Sequence, residues 1–291
     1  MTEQLVTWLY AVASAATAGG TGPLEGGTGV AGEPVRVIEG TGGTGGAGEG
    51  LAAVVGSVPL KDFDDDAMHE HLQDLRWLER SARSHHQVIG EASRHGTVIP
   101  LRFGTLFHDD DGVLGMLADR KADLAAALER VAGRTEWGVK AFADPKAFLP
   151  DPSEEPAEGD GDKPGTAYLL RRRARRKEKE TAHLRVTRQA EEIHAALSEL
   201  AVESAEHPPQ DAGLAAYEGW MILNNSYLVA DDRTADFLAR VSDLKRRLTG
   251  TSVELSGPWP PYSFTALPES EHEPGSPGSP GSPGSPGSEV R

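Results

Sequence analysis

Glycine and proline set the first limit on this chain, because they are crowded into a few stretches rather than spread along it. Of 291 residues, 34 are Gly and 20 are Pro, well above the roughly 12% that the two contribute to an average protein. The excess sits in two inserts within residues 13–50, at 13–33 and 40–50, in the acidic run at 150–165 and in Pro-Gly-Ser triplets beyond residue 265. Gly loses the most backbone entropy on ordering, and Pro removes an amide donor. These stretches are therefore predicted to be disordered, and a folded body must be built from what lies between them.

That remainder reads as an α+β chain of two domains. Leu5–Val12, Val35–Ile38 and Leu51–Val58 carry the β-branched and aromatic content of buried strands. From Asp64 the period changes: Met68, Leu72, Leu75, Leu78, Ala82, His85, Ile89 and Ala92 recur every three or four residues, as on one helix. A strand around Thr97–Phe103 and a helix over 111–131 complete a first domain, 1–133. The second, 134–265, is predicted to comprise a strand at Glu136–Ala143, a helix over 166–205, strands at 215–223 and 226–230 around Asn224-Asn225, a helix with Phe237, Val241, Leu244 and Leu248 on one face, and a strand over 251–256. This β-α-β-β-α-β order is that of a ferredoxin-like unit. Residues 266–291 form a disordered tail.

Composition removes several classes of function. Without cysteine there are no disulfides and no thiolate chemistry, which fits a reducing cytoplasm. No run reaches the ~20 apolar residues of a membrane helix, and the absence of a basic residue before Leu5 argues against a secretory signal. A net charge of −16 disfavours general nucleic-acid binding.

Chemistry-bearing motifs are few. Gly40-x-Gly42-x-x-Gly45 matches a dinucleotide fingerprint by letters but lacks the strand-to-helix context. His69, His71, His85 and His86 do not converge on one face as metal ligands must, and His85 reads as a structural histidine. No nucleophile–base spacing, phosphate loop or metal cluster is found, so no catalytic, cofactor-binding or metal-ligating residue is assigned and no cofactor is expected. The remaining candidates are structural or partner-binding. Arg102, inside the apolar run Val98–Thr105 with Phe103, is predicted to be a buried ion-pair or carbonyl anchor, with Asp74, Glu79 or Glu136 as partner. Trp137, Lys140 and Tyr227 lie on predicted strands. Arg171, Arg172 and Arg173 open a basic run to Lys179 that reads as a solvated helix face or a docking face. Trp259, Tyr262 and Phe264 sit on a proline-stiffened segment that either fastens the domains or shows aromatics to a partner.

Taken in order, Trp8–Val12, Leu51–Pro59, Trp77–His86, Val98–Thr105, Glu136–Lys140, Asn225–Val229 and Thr249–Thr251 near Gly257–Phe264 resemble the gas vesicle protein L/F family (GvpL/GvpF) over about residues 5–265. The Gly, Ala and Arg usage is similar to that of actinobacterial members. The resemblance implies a cytoplasmic, gas-vesicle-associated accessory or minor protein of two α+β domains. It would bind the major shell protein and sibling accessory proteins to nucleate or chaperone the shell, without catalysis. F and L types are not separated at this point. The competing reading is a ferredoxin-like module that binds a small ligand or RNA, since fold does not fix function.

Overall fold

The computed structural model describes residues 4–15, 27–40, 50–149, 164–209 and 219–265, without the side chains of Asp65 and 164–171. The expectations of disorder for 16–26, 41–49, 150–163 and the Pro-Gly-Ser tail fall outside these residues. Residues 27–34 do not follow that expectation. A bridge joins Thr28 to Pro34, and Glu33 is buried, where its carboxylate accepts from the Tyr10 hydroxyl and from the Ala31 N–H.

The fold is α+β and holds two antiparallel sheets. The first runs β2-β3-β1-β4, from Val35–Glu39 (β2), Leu51–Pro59 (β3), Leu5–Ser14 (β1) and Val98–Pro100 (β4), with Leu106–Phe107 (β5) also paired to β1. Helices cover both of its faces. Trp8, Tyr10, Ala13 and Val54 pack with Phe63, Val88, Ile89 and Ala92 on one side. Leu9, Val12, Ala53 and Val55 pack with Val113, Leu117, Leu124 and Leu128 on the other. A strand buried on both faces has no polar side to alternate with, which is why β1 reads as a continuous apolar run. A register shift between Leu9 and Ala11 lets Tyr10 and Ala11 join the same core.

After the short helix Leu60–Phe63 (α1), the long helix predicted from Asp64 is two helices, Asp65–Gln73 (α2) and Leu75–His95 (α3). Asp74 makes the break, its side chain accepting from the N–H groups of Arg76 and Trp77 as a cap for α3. The buried stripe is consequently Ser81, His85, Val88, Ile89 and Ala92, whereas Leu72 and Leu75 are exposed. The helix predicted over 111–131 is likewise two, Asp110–Asp119 (α4) and Lys121–Val131 (α5), meeting at Arg120.

The second sheet runs β7-β8-β6-β9, all antiparallel, from Glu203–Glu206 (β7), Trp220–Ala230 (β8), Arg134–Ala143 (β6) and Thr251–Trp259 (β9). After β6 comes the short helix Pro145–Phe148 (α6). Pro164–Ser198 (α7) and Thr234–Arg247 (α8) then pack against Trp137, Val139, Ala141, Tyr227 and Val229. Two strands here differ from the sequence reading. Asn224-Asn225 is no turn: β8 passes straight through it, pairing Asn224 with Lys140 and Asn225 with Val139. The hairpin partner is Glu203–Glu206, whose first three residues fall in the helix expected over 166–205. Its Glu-Ser-Ala-Glu sequence carries no strand propensity, and pairing along the β8 edge supplies what propensity does not.

Candidate functional site

Arg102 is not buried. The edge of the first sheet leaves β1 after the Leu101 N–H donates to the Tyr10 carbonyl, and returns where the Thr105 carbonyl accepts from the Leu9 N–H. Residues 102–104 form the turn between, closed by Thr105 N–H and Oγ1 on the Arg102 carbonyl and by Gly104 at φ +85°. Arg102 sits exposed on this turn; among the described residues its guanidinium has no ion pair. The expected partners are used elsewhere: Asp74 caps α3, Glu79 pairs with Arg83, and Glu136 accepts from Ser263. Phe103 turns inward instead and meets the rings of Trp8, Trp77 and His85.

His85 fixes how α3 lies on the sheet. Its Nδ1 accepts from the Trp8 indole N–H at 3.1 Å, and its Nε2 lies 3.1 Å from the Leu101 carbonyl. Accepting at Nδ1 makes Nε2–H the donor to Leu101, so the ring is the neutral tautomer. Burial lowers its pKa to about 4, opposed by the Leu101 contact. With His85 directed inward, the next residue, His86, faces the second sheet.

There His86 meets the proline segment. β9 contains the cis Gly257-Pro258 peptide and ends at Trp259, and Pro258–Pro261 bring Trp259 edge-on to His86 at 5.1 Å and Tyr262 into a stack on it at 6.2 Å. The Tyr262 hydroxyl is 3.5 Å from His86 Nδ1. Burial, aided by the Glu136 carboxylate, pushes that phenol up to about 12. The segment is tied down beyond the rings. Ser263 donates through N–H and hydroxyl to the two Glu136 oxygens at 2.9 and 2.7 Å, and Phe264 is buried with Val131 and Leu228. Trp259 and Tyr262 nevertheless remain 39% and 38% exposed, unusual for aromatics this well anchored.

Together these elements wall a cleft of about 600 Å³ between the C-terminal half of α3, the start of β6 and the Pro258–Pro261 strap. Its polar lining includes Ser93, Arg94, His95, Thr97, Arg134 and Asp231. Much of this is already engaged: Glu91 pairs with Arg94 and His95, Arg134 donates to the Arg130 carbonyl, and Asp231 accepts from Thr135.

The nearby Ser263, His207 and Glu136 share residue types with a hydrolytic triad, but their connections differ. Ser263 donates directly to Glu136, while His207 Nε2 lies 2.9 Å from Ser226 Oγ and 3.3 Å from Ser263 Oγ. In a triad the carboxylate orients the histidine and leaves the hydroxyl proton to it. Here the arrangement is a latch.

The other sequence candidates disperse. Trp137 and Tyr227 are core residues on the α7–α8 face, with the Tyr227 hydroxyl 3.2 Å from His194 and its pKa raised by burial. Lys140 is half-buried in β6 opposite Glu254 and Asn224. Arg172 and Arg173 are exposed on α7, far along the chain from the cleft, and the Arg171 side chain lies outside the described residues. Trp259, Tyr262 and Phe264 share one segment, whereas His86, which is not among the sequence candidates, lies 176 positions from Tyr262. No local pattern reports a contact at that distance.

A family model, the gas vesicle synthesis protein GvpL/GvpF, matches residues 6–266, which spans the cleft and both sheets. The chain belongs to the GvpL/GvpF family. Among GvpL/GvpF relatives, gas vesicle protein L of Streptomyces sp. strain CB03234 is 38% identical over 86% of this chain and 90% of its own length. Gas vesicle protein F of the same strain is 28% identical over 82% of this chain and 91% of its own. The crystal structure of GvpF from Anabaena sp. PCC7120 superposes with a TM-score of 0.63 at 18% identity, covering 92% of this chain and 99% of that one. This likeness shows the fold. Membership implies a role in gas vesicle formation, and no helix among the described residues is long and apolar enough to cross a membrane.

Proposed function

We propose that this chain is a non-enzymatic gas vesicle accessory protein that binds the major shell protein and other gas vesicle proteins, and so nucleates or chaperones shell assembly. The family match across residues 6–266 carries the reading. An apolar shell subunit has to be shielded until it polymerises. The Trp259–Tyr262 strap supports a docking role: two exposed aromatics on a latched, proline-stiffened segment lose little entropy on binding. On this reading the protein resides in the cytoplasm and at the gas vesicle, and it is of the L type, as the higher identity to the Streptomyces L protein supports.

The same reading divides the body into domains 1–133 and 134–265, the second ferredoxin-like. Its support is the chain order β6-α7-β7-β8-α8-β9 with sheet order β7-β8-β6-β9, and a separate core for each sheet. Co-expression of the tagged full chain with the shell protein and sibling accessory proteins, followed by pull-down, tests the function. Recovery of the shell protein is expected; recovery of none of them would overturn the proposal.

A further inference from the structure

α7 is longer than the sheet it packs on. From Ala182 onward it buries Ala182, Val186, Ile193 and Leu197, spaced so that they lie along one side of the helix. Extended toward the N-terminus by the same steps of three and four, that side passes through Lys179, Arg175 and Arg172, with Arg176 beside them. All ten residues from Arg172 to Thr181 are exposed. The side of α7 that faces the protein's core therefore becomes basic where the helix projects past its own sheet. Internal contacts engage Arg175 and Arg176 and leave the rest of this charge available. Arg176 pairs with Glu180 within the helix, whereas Arg172, Arg173, Lys177 and Lys179 have no ion pair among the described residues.

We infer that these projecting turns of α7 are a docking face for an acidic segment of a protein partner, which lies along Arg172, Arg175, Arg176 and Lys179 where the sheet would otherwise lie. Charge complementarity commits the site to an acidic occupant. Two observations favour protein over RNA. No aromatic residue occurs between Arg172 and Thr181 for bases to stack on. The chain as a whole carries −16, which repels an extended polyanion but not a short segment confined to the stripe. The inference does not depend on the shell-binding role of the Trp259 strap.

The test is fluorescence anisotropy of the full chain with a labelled ten-residue glutamate-rich peptide and, in parallel, a labelled ten-nucleotide oligo-U RNA. Peptide binding that weakens with added salt, falls at least about tenfold in R172Q/R175Q/R176Q/K179Q and is retained in R172K/R175K/R176K is the expected result. Because these side chains are exposed, the thermal midpoint of both variants should match that of the parent protein, so a lost signal would not reflect unfolding. The inference is overturned if the Gln variant binds peptide as well as the parent does, or if the RNA binds more tightly. It is also overturned if the parent chain binds no peptide. In that last case, binding that appears once Glu154, Glu155, Glu158, Asp160 and Asp162 are changed to Gln or Asn would assign the stripe to the chain's own acidic run.

Discussion

The Trp8 indole N–H donates to His85 Nδ1 across 77 positions of sequence, and through it α3 is fixed on β1 with His86 facing the second sheet. Both partners are buried at 0% and 3% exposure, and the bond forms only while His85 is neutral, because an imidazolium has no acceptor.

That requirement gives a pH dependence. His85 has a folded pKa near 4 against an ordinary 6.5, so the unfolded chain binds the proton more readily. Stability is full above about pH 6.5 and falls as pH drops toward 4, by on the order of 3 kcal/mol in total. Denaturant unfolding at pH 7 and pH 4.5 should show the loss. In His85→Phe, which keeps a ring but cannot titrate, the part of the slope due to His85 should vanish.

A second acid-sensitive contact lies on the first sheet. Arg36 grips both carboxylate oxygens of Asp110 at 2.7 and 2.8 Å while Thr7 donates to the same group, and the Arg36 guanidinium holds Asp110 below the ordinary carboxylate range. This contribution is present above pH 4 and is lost as pH falls through the lowered value. The pair is about a third exposed, so Asp110→Asn should cost only about 1 kcal/mol at pH 7, measured by urea unfolding.

Arg102→Ala is expected to leave stability within about 0.5 kcal/mol of the parent, as for an exposed side chain without a partner. A loss of several kcal/mol in thermal or chemical unfolding would restore the buried ion pair that the sequence suggested.

Phe264 anchors the strap from below. Phe264→Ala should destabilise the protein by about 3 kcal/mol through loss of packing against Val131 and Leu228. It should also raise hydrogen exchange of the Ser263 amide, whose bond to Glu136 depends on that anchor.

What the sequence made legible follows from local physics, and what it hid was set by distant contacts. The β1 run, the Phe237–Leu244 face of α8 and the Gly250 turn at φ +74° are each written in a few neighbouring residues. Helix breaks at Asp74 and Arg120 interrupt apolar patterns that continue across them, so periodicity alone runs straight through. The β7 strand is visible only once β8 exists to pair with it. Arg102 misled because an arginine in an apolar run looks buried, whereas the chain there leaves the sheet in a turn. Trp259 and Tyr262 were readable as a segment; the surface they form required His86, brought from α3 by the Trp8–His85 bond.

The docking surface proposed for gas vesicle components rests on Trp259 and Tyr262. It is tested most directly by pull-down of the shell protein with the full chain and with Trp259→Ala/Tyr262→Ala. Both side chains are more than a third exposed, so the double variant should retain its fold by circular dichroism. Retained fold with shell protein recovery reduced at least about tenfold is the predicted result; recovery equal to the parent's would contradict the account.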